Sequence, residues 1–138
     1  MGPRFYVDTS VYLCILLGES GSAALARDLR GGALVSSVLL VLETRRNLVR
    51  IARQGKLSAA QMQAALDRST EDFRQFSLRD LTFDLCTAVQ MPALSTPRSL
   101  DLAHLRTALW FHDEAPLARF VTLDDAQAIA ARELGLPA

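Results

Sequence analysis

The sequence predicts an α/β protein, a three-layer α/β/α sandwich around a short parallel sheet of four to five strands. Three observations support this fold class. Short apolar segments alternate with longer amphipathic ones, which is typical of parallel strands joined by crossover helices. The chain has 138 residues and is 50% hydrophobic, which fits a single domain over residues 1–138 and argues against disorder. Two predicted strands lead into aspartate, at the strand ends where α/β sheets bind ligands.

The first half of the chain alternates predicted strands and helices. RFYV predicts a buried strand because it is aromatic and β-branched and lies between Pro3 and Asp8. The apolar residues after it keep helical spacing to Leu17, and Ser58 is a favourable N-cap for a later helix. In order, the predicted elements are a strand at 4–7, helices at 9–17 and 22–30, a strand at 33–37, and helices at 38–55 and 57–76.

The second half continues this alternation. Pro92 is expected to stop one helix, Ser99 to cap the next, and Gly135 to close the last. In order, the predicted elements are a strand at 76–81, a helix at 83–91, a loop at 95–99, a helix at 100–114, a strand at 119–123 and a helix at 124–135.

Charge and targeting features restrict the classes of function. The formal net charge is +0, so the chain as a whole does not attract nucleic acid electrostatically. No apolar run reaches the ~20 residues that span a bilayer, and the first residues lack the pattern of a signal peptide. Cys14 and Cys86 lie in apolar sequence without zinc-site spacing, which predicts buried free thiols. We therefore predict a cytoplasmic protein without membrane contact.

The acidic residues that lie beside apolar sequence, outside charged runs, are Asp8, Glu43, Asp101 and Asp124. Each also has a structural interpretation. Asp8 and Asp124 could be helix N-caps, and the charge of Asp101 could favour the start of its helix. Glu43 follows the apolar stretch VSSVLLVL and could form a salt bridge to Arg46 or Arg50.

If these carboxylates meet at one point, they need a cation. Neighbouring carboxylates repel each other and raise each other's pKa values, so a cluster is stable only around positive charge. Oxygen ligands with little histidine or cysteine select Mg²⁺, with Mn²⁺ as a substitute. Metals held by acidic residues with open coordination positions hydrolyse phosphodiester bonds. The acidic residues therefore favour metal-dependent phosphodiester hydrolysis.

Four segments in this order resemble a known family. They are FYVDTSVYL, VSSVLLVLETRRNL, RSLDLAHLRTAL and FVTLDDAQAIAARELGLP. Each contains an acidic residue beside a predicted strand or helix, and together they cover nearly the whole chain. The chain resembles the PIN-domain family, most closely the VapC-type ribonuclease toxins of type II toxin–antitoxin systems. His104 follows the third acid by one helical turn, as is frequent in that family, and is predicted to pack or hydrogen-bond.

The resemblance implies which acids form the site. Asp8, Glu43 and Asp101 would be the core of a catalytic metal site, and Asp124 would be the fourth catalytic, metal-binding acid. Asp125 makes an acidic pair with Asp124, which leaves open which of the two carboxylates faces the site. The Thr-x-Asp spacing favours Asp124.

Hydroxyl and basic side chains would have supporting roles. Ser10 and Thr122 match hydroxyl positions that orient the acids in the family. Arg46, Arg50 and Arg53 share one face of a predicted helix, which is either a solvated surface or a track for RNA phosphates.

The resemblance implies a Mg²⁺-dependent endoribonuclease toxin, a hydrolase acting on RNA phosphodiester bonds. Metal-activated water would cleave the RNA and leave a 3′-hydroxyl and a 5′-phosphate, and a cognate antitoxin would neutralise the enzyme. A homodimer is also implied. The alternative is a PIN-fold module that binds RNA or protein without catalysis. A nucleotide-binding domain is disfavoured because the chain contains no glycine-rich phosphate loop.

Overall fold

The computed structural model describes residues 2–88 and 98–138, and their four strands form one parallel sheet. The strands are β1 (Arg4–Val7), β2 (Ala33–Ser37), β3 (Phe76–Arg79) and β4 (Arg119–Val121). Their spatial order is β3-β2-β1-β4, and every neighbouring pair is parallel. The predicted α/β class with a parallel sheet of at least four strands is confirmed.

The described residues form seven helices, of which the last follows β4. They are α1 (Thr9–Leu17), α2 (Ser22–Leu29), α3 (Leu39–Arg53), α4 (Ala59–Phe73), α5 (Phe83–Thr87), α6 (Ser99–Glu114) and α7 (Asp125–Glu133). Ser58 caps α4 as predicted, through a capping box with Gln61. The prediction that Ser99 is an N-cap was wrong, since Arg98 has the extended backbone of the cap and Ser99 is already helical. The predicted helix at 83–91 was too long, since α5 ends at Thr87 and Ala88 has a non-helical backbone. Residues 89–91 and most of the predicted loop at 95–99 lie outside the described residues.

Two apolar clusters pack on opposite faces of the sheet, as a three-layer sandwich requires. Successive residues of a strand point to opposite faces, and Tyr6 and Val7 belong to different clusters. The Tyr6 ring stacks on Phe120 of β4, with ring centroids 5.1 Å apart, and packs with buried residues of α6 and α7. Val7 packs with buried residues of α1 and α3. Burying a side chain of this size stabilises the fold by about 1.5–3 kcal/mol.

The strand order places a topological switch beside β1. The chain proceeds from β1 to β2 to β3 in one direction and then returns to put β4 on the other side of β1. In open parallel sheets, the crevice at such a switch, beyond the carboxyl ends of the strands, is the usual ligand site. The carboxyl ends of β1 and β4 lie side by side, with Val7 paired to Val121.

Two further features follow from the helices. No single helix of the described chain is long and apolar enough to cross a membrane, and α1 with α2 meets that test only as a pair bent by 117°. Cys14 is a buried free thiol, as predicted, but Cys86 is exposed, so the prediction of a second buried thiol was wrong. Cys86 lies on the five-residue helix α5, of which Leu85 is the buried residue.

Candidate active site

The first acid lies where β1 ends, beside the end of β4. Asp8 follows Val7 directly, and its backbone nitrogen donates to the carbonyl oxygen of Val121 at 3.0 Å. Thr122 follows Val121, so the parallel pairing of the two strands brings Thr122 next to Asp8. This position is the crevice at the topological switch, where α/β sheets bind ligands.

Asp8 is buried and accepts several hydrogen bonds. Its Oδ1 accepts from the backbone nitrogen of Thr9 at 2.9 Å, which makes Asp8 the N-cap of α1. Its Oδ2 accepts from Thr122 Oγ1 at 2.6 Å and from Ser10 Oγ at a longer 3.4 Å. Both predicted supporting hydroxyls therefore contact the predicted acid. Because charge-assisted hydrogen bonds are the short, strong ones, Thr122 fixes Asp8 more firmly than Ser10 does.

Glu43 is the second acid, and it approaches Asp8 from α3. Its Oε1 accepts from Thr9 Oγ1 at 2.9 Å and from His104 Nε2 at 2.6 Å. Burial raises the pKa of Glu43, but the hydrogen bonds from His104 and Thr9 lower it, and the net shift is downward. The positive charge of Arg46 adds a smaller effect in the same direction. The main partner of Glu43 is thus a histidine from a distant helix instead of an arginine of its own helix.

His104 joins the two acids to the apolar core. It is 1% exposed, its Nε2 lies 4.0 Å from Asp8 Oδ1, and its Nδ1 lies 2.6 Å from the Tyr6 hydroxyl. The predicted hydrogen-bonding role is confirmed. Its contact with Glu43 was not predicted from the sequence, where the only signal was its position one helical turn after Asp101.

Asp101 is the third acid and lies, half-buried, in the first turn of α6. Burial raises the pKa of Asp101, and the negative charges of Asp8 and Asp124 raise it further. Its backbone oxygen accepts from Gln127 Nε2 at 2.9 Å, which ties the start of α6 to α7. The charge of Asp101 therefore interacts with two of the other predicted acids.

Asp124 caps α7 and lies at the rim of the crevice. Its Oδ1 accepts from the backbone nitrogen of Gln127 at 3.2 Å, and its own backbone nitrogen donates to Thr122 Oγ1 at 3.1 Å. Asp125 is exposed in the first turn of the same helix. Asp124 is the one of this acidic pair whose charge raises the pKa of Asp101.

The predicted RNA-contacting residues, Arg46, Arg50 and Arg53, are all exposed on α3. We call these three residues the α3 arginine track. Arg50 donates to Asn47 Oδ1 at 2.9 Å, and Arg46 is close enough to Glu43 to affect its pKa. The track therefore begins beside the acidic residues and follows α3 away from Glu43.

The oxygen donors have the chemistry that Mg²⁺ selects. The residues are carboxylates with neighbouring hydroxyls, and no cysteine takes part, which suits a hard cation. Over residues 2–88 and 98–138, no three His, Cys, Asp or Glu side chains are arranged to hold a metal ion. Glu43 is instead hydrogen-bonded to His104 and Thr9, and Asp8 to Thr122. The unfavourable charge of Asp101 is the feature of this donor set that a cation would relieve.

Comparison with known proteins assigns no family. No protein-family model matches the chain, and no curated protein matches it.

Proposed function

We propose that the chain is a Mg²⁺-dependent endoribonuclease of the PIN-domain type, a cytoplasmic toxin that a cognate antitoxin neutralises. The observation that carries the proposal is geometric: hydrogen bonds join the residues that follow β1 and β4 to Glu43 of α3 at one crevice. Asp8 follows β1, Asp124 follows β4, and Asp101 lies in the first turn of α6. The charges of Asp8 and Asp124 nevertheless both raise the pKa of Asp101. Glu43 belongs to the same hydrogen-bonded group through Thr9.

Each side chain has a distinct task in this proposal. Asp8, Glu43, Asp101 and Asp124 would hold Mg²⁺, which when bound withdraws charge from the scissile phosphate and makes water more acidic. Thr122 orients Asp8 by its 2.6 Å hydrogen bond. Hydrogen bonds from His104 and Thr9 keep Glu43 ionised. Glu43 would thus be ready to bind a cation at neutral pH, whereas the raised pKa of Asp101 makes it an unfavourable anion before the cation arrives.

Three surface features support the proposal that RNA and protein are partners of this chain. An acidic site repels RNA unless cations lie nearby, and the α3 arginine track supplies them. A cavity of about 400 Å³ lies between α1, α2 and α4, with Tyr12, Leu29 and Phe76 among its lining residues. Its lining is mainly apolar but includes Arg30, Arg68 and Asp72, so it suits an amphipathic antitoxin helix. The exposed Leu42 and Val49 on α3 offer apolar surface for a homodimer.

A second candidate is a PIN-fold module that binds RNA or protein without catalysis. The observation that favours it is that Glu43 and Asp8 already have internal partners in His104, Thr9 and Thr122. A carboxylate satisfied in this way can serve as a structural element. The two candidates differ in one measurable respect, because only the enzyme requires a divalent cation for its effect on RNA.

The test is RNA cleavage by the purified protein with Mg²⁺ and with EDTA. We expect cleavage only with Mg²⁺, products with a 5′-phosphate, and a loss of at least ~100-fold in the Asp8→Asn and Asp101→Asn variants. Asp28→Asn is the matched control, because Asp28 is an exposed aspartate of α2. Cleavage that survives EDTA or both site variants would refute the proposal. RNA binding without any cleavage would favour the second candidate.

A further inference from the structure

We propose that His104 is a positioning residue, which holds the Glu43 carboxylate beside Asp8 and so sets the affinity of the acidic crevice for Mg²⁺. This inference rests on the proposed function and adds a residue that the acidic motifs do not include. The evidence for this role is geometric, because the buried imidazole of His104 lies between the apolar core and two of the acids, Asp8 and Glu43.

The position of His104 is fixed from several directions. It lies on α6, yet its ring contacts β1 through Tyr6, α1 through Thr9 and α3 through Glu43. The ring is 1% exposed, and Tyr6 is 0% exposed. The two strongest contacts, each 2.6 Å long, involve opposite nitrogens of the ring. A rotation of the imidazole would break both, so the ring has one favourable orientation.

The hydrogen positions follow from the chemistry of the partners. Glu43 is ionised and can only accept, so His104 Nε2 must carry the hydrogen of the 2.6 Å contact. Burial raises the pKa of Tyr6 well above its usual value, so the phenol keeps its hydrogen and can donate it to Nδ1. Both ring nitrogens are then occupied. His104 thus has no free lone pair for a metal or a substrate, and it acts through Glu43.

A histidine with only a structural role would show different behaviour on substitution. If His104 merely fills the core, any polar replacement should reduce stability and leave Mg²⁺ affinity per folded molecule unchanged. If His104 positions Glu43, the replacement that keeps a donor at Nε2 should preserve Mg²⁺ affinity. Partners that orient metal ligands typically change metal affinity or activity by about 10–100-fold when they are removed.

Two variants separate the two hydrogen bonds. His104→Gln places an amide nitrogen near the position of Nε2 and can still donate to Glu43, while losing the Tyr6 contact. His104→Asn reaches only to the position of Nδ1, so it can keep the Tyr6 contact and loses the Glu43 contact. Both variants lose one hydrogen bond of similar length, which makes each the control for the stability effect of the other.

The experiment measures Mg²⁺ binding to RNA-free protein by titration calorimetry, with RNA cleavage recorded in parallel. We expect His104→Gln to bind Mg²⁺ within roughly threefold of the original protein and His104→Asn to bind about 10–100-fold more weakly. Equal losses in both variants, or unchanged affinity in His104→Asn, would overturn the positioning role. If His104→Asn does not fold, Tyr6→Phe replaces it. That variant loses the contact at Nδ1 but keeps the Nε2 donor to Glu43, so it should bind Mg²⁺ within roughly threefold of the original protein, and a larger loss would count against the role.

The outcome also separates this inference from the proposed function. If the original protein binds Mg²⁺ and cleaves RNA while the two variants behave alike, only the positioning role of His104 fails. If the original protein neither binds Mg²⁺ nor cleaves RNA, the proposed function fails, and the role of His104 fails with it.

Discussion

Replacement of Asp101 by asparagine should make the metal-free protein more stable at neutral pH, although this residue is proposed to be essential for cleavage. Burial and the charges of Asp8 and Asp124 raise the pKa of Asp101. A carboxyl group whose pKa is raised on folding contributes stability below its unfolded pKa, and this contribution is lost as the pH rises through its folded pKa. Asparagine has nearly the same shape without the charge, so it removes the repulsion.

The expected gain is small because water screens the charges. Asp101 is half-buried, so each repulsion should resemble that between exposed charges, about 0.2–1 kcal/mol. Its place in the first turn of α6 acts in the opposite direction, because a helix N-terminus favours a negative charge by about 0.3–1 kcal/mol. Burial and the two repelling charges favour the variant, while the helix N-terminus and the smaller attraction of Arg98 favour the original protein, so the free energy of unfolding should rise by about 0.5 kcal/mol, or ~2 °C in Tm.

The assay is urea unfolding at two pH values, with and without Mg²⁺. At pH ~4, close to the pKa of an unfolded aspartate, the difference between original protein and variant should shrink, because the raised pKa of Asp101 favours its protonated form there. Mg²⁺ at about 100 times its Kd should stabilise the original protein by about 2.7 kcal/mol and the variant much less, so their order should reverse. Asp125→Asn is the control, since Asp125 also lies in the first turn of its helix, α7, and is exposed.

The control should change stability in the opposite direction to the test variant. Asp125→Asn loses a favourable charge at a helix N-terminus and should be destabilised by about 0.3–1 kcal/mol. The reasoning is refuted if Asp101→Asn is no more stable than the original protein at pH 7 without metal, or if its advantage is the same at pH 4. A stabilised variant that Mg²⁺ stabilises as much as the original protein would remove Asp101 from the metal site.

Two further predictions concern the groups around the acids. Thr122→Val should destabilise the protein by about 1–2 kcal/mol in urea unfolding, since it removes the 2.6 Å hydrogen bond to Asp8. Ser10→Ala should have less effect, because each hydroxyl also accepts from one backbone nitrogen at 3.1 Å and the two differ in their contact with Asp8, which is 3.4 Å for Ser10; an equal effect would contradict the ranking. Replacing all three residues of the α3 arginine track by glutamine should weaken RNA binding and reduce its salt dependence by about 0.7 per lost phosphate contact. Arg27→Gln on α2 is the control, and an unchanged salt slope in the triple variant would leave the track a solvated surface.

The fold class was predictable because its signals are local. The strand RFYV and the helix start at Ser58 depend on residues within one or two turns, and both were found where the sequence placed them. The error at Ser99 arose because its neighbour Arg98 can adopt the extended cap backbone without a side-chain hydrogen bond. The exposure of Cys86 depends on how little of α5 packs against its neighbours, which a short apolar segment does not reveal.

The candidate site was predictable only in part, for a similar reason. Asp8 could be anticipated because a buried strand ends there, whereas the supporting roles of Ser10 and Thr122 were expected from the family resemblance. The link between His104 and Glu43 spans 61 residues, and that between His104 and Tyr6 spans 98. Such contacts depend on the rotation and depth of α6 against the sheet. Packing of the whole core sets these quantities, and no spacing within a single segment encodes them.

The capping and metal-binding interpretations of Asp8 are compatible, because an ionised carboxylate has about four acceptor positions. Capping of α1 uses one position on Oδ1, and the hydroxyls of Thr122 and Ser10 share Oδ2. The second position of Oδ1 is not needed for any of these hydrogen bonds, and Oδ1 is the oxygen that lies 4.0 Å from His104 Nε2. The bonds that begin the helix therefore also fix the direction of the remaining lone pair. An N-cap at the end of a buried strand is, for this reason, a favourable place for an aspartate that must keep one oxygen available to a cation.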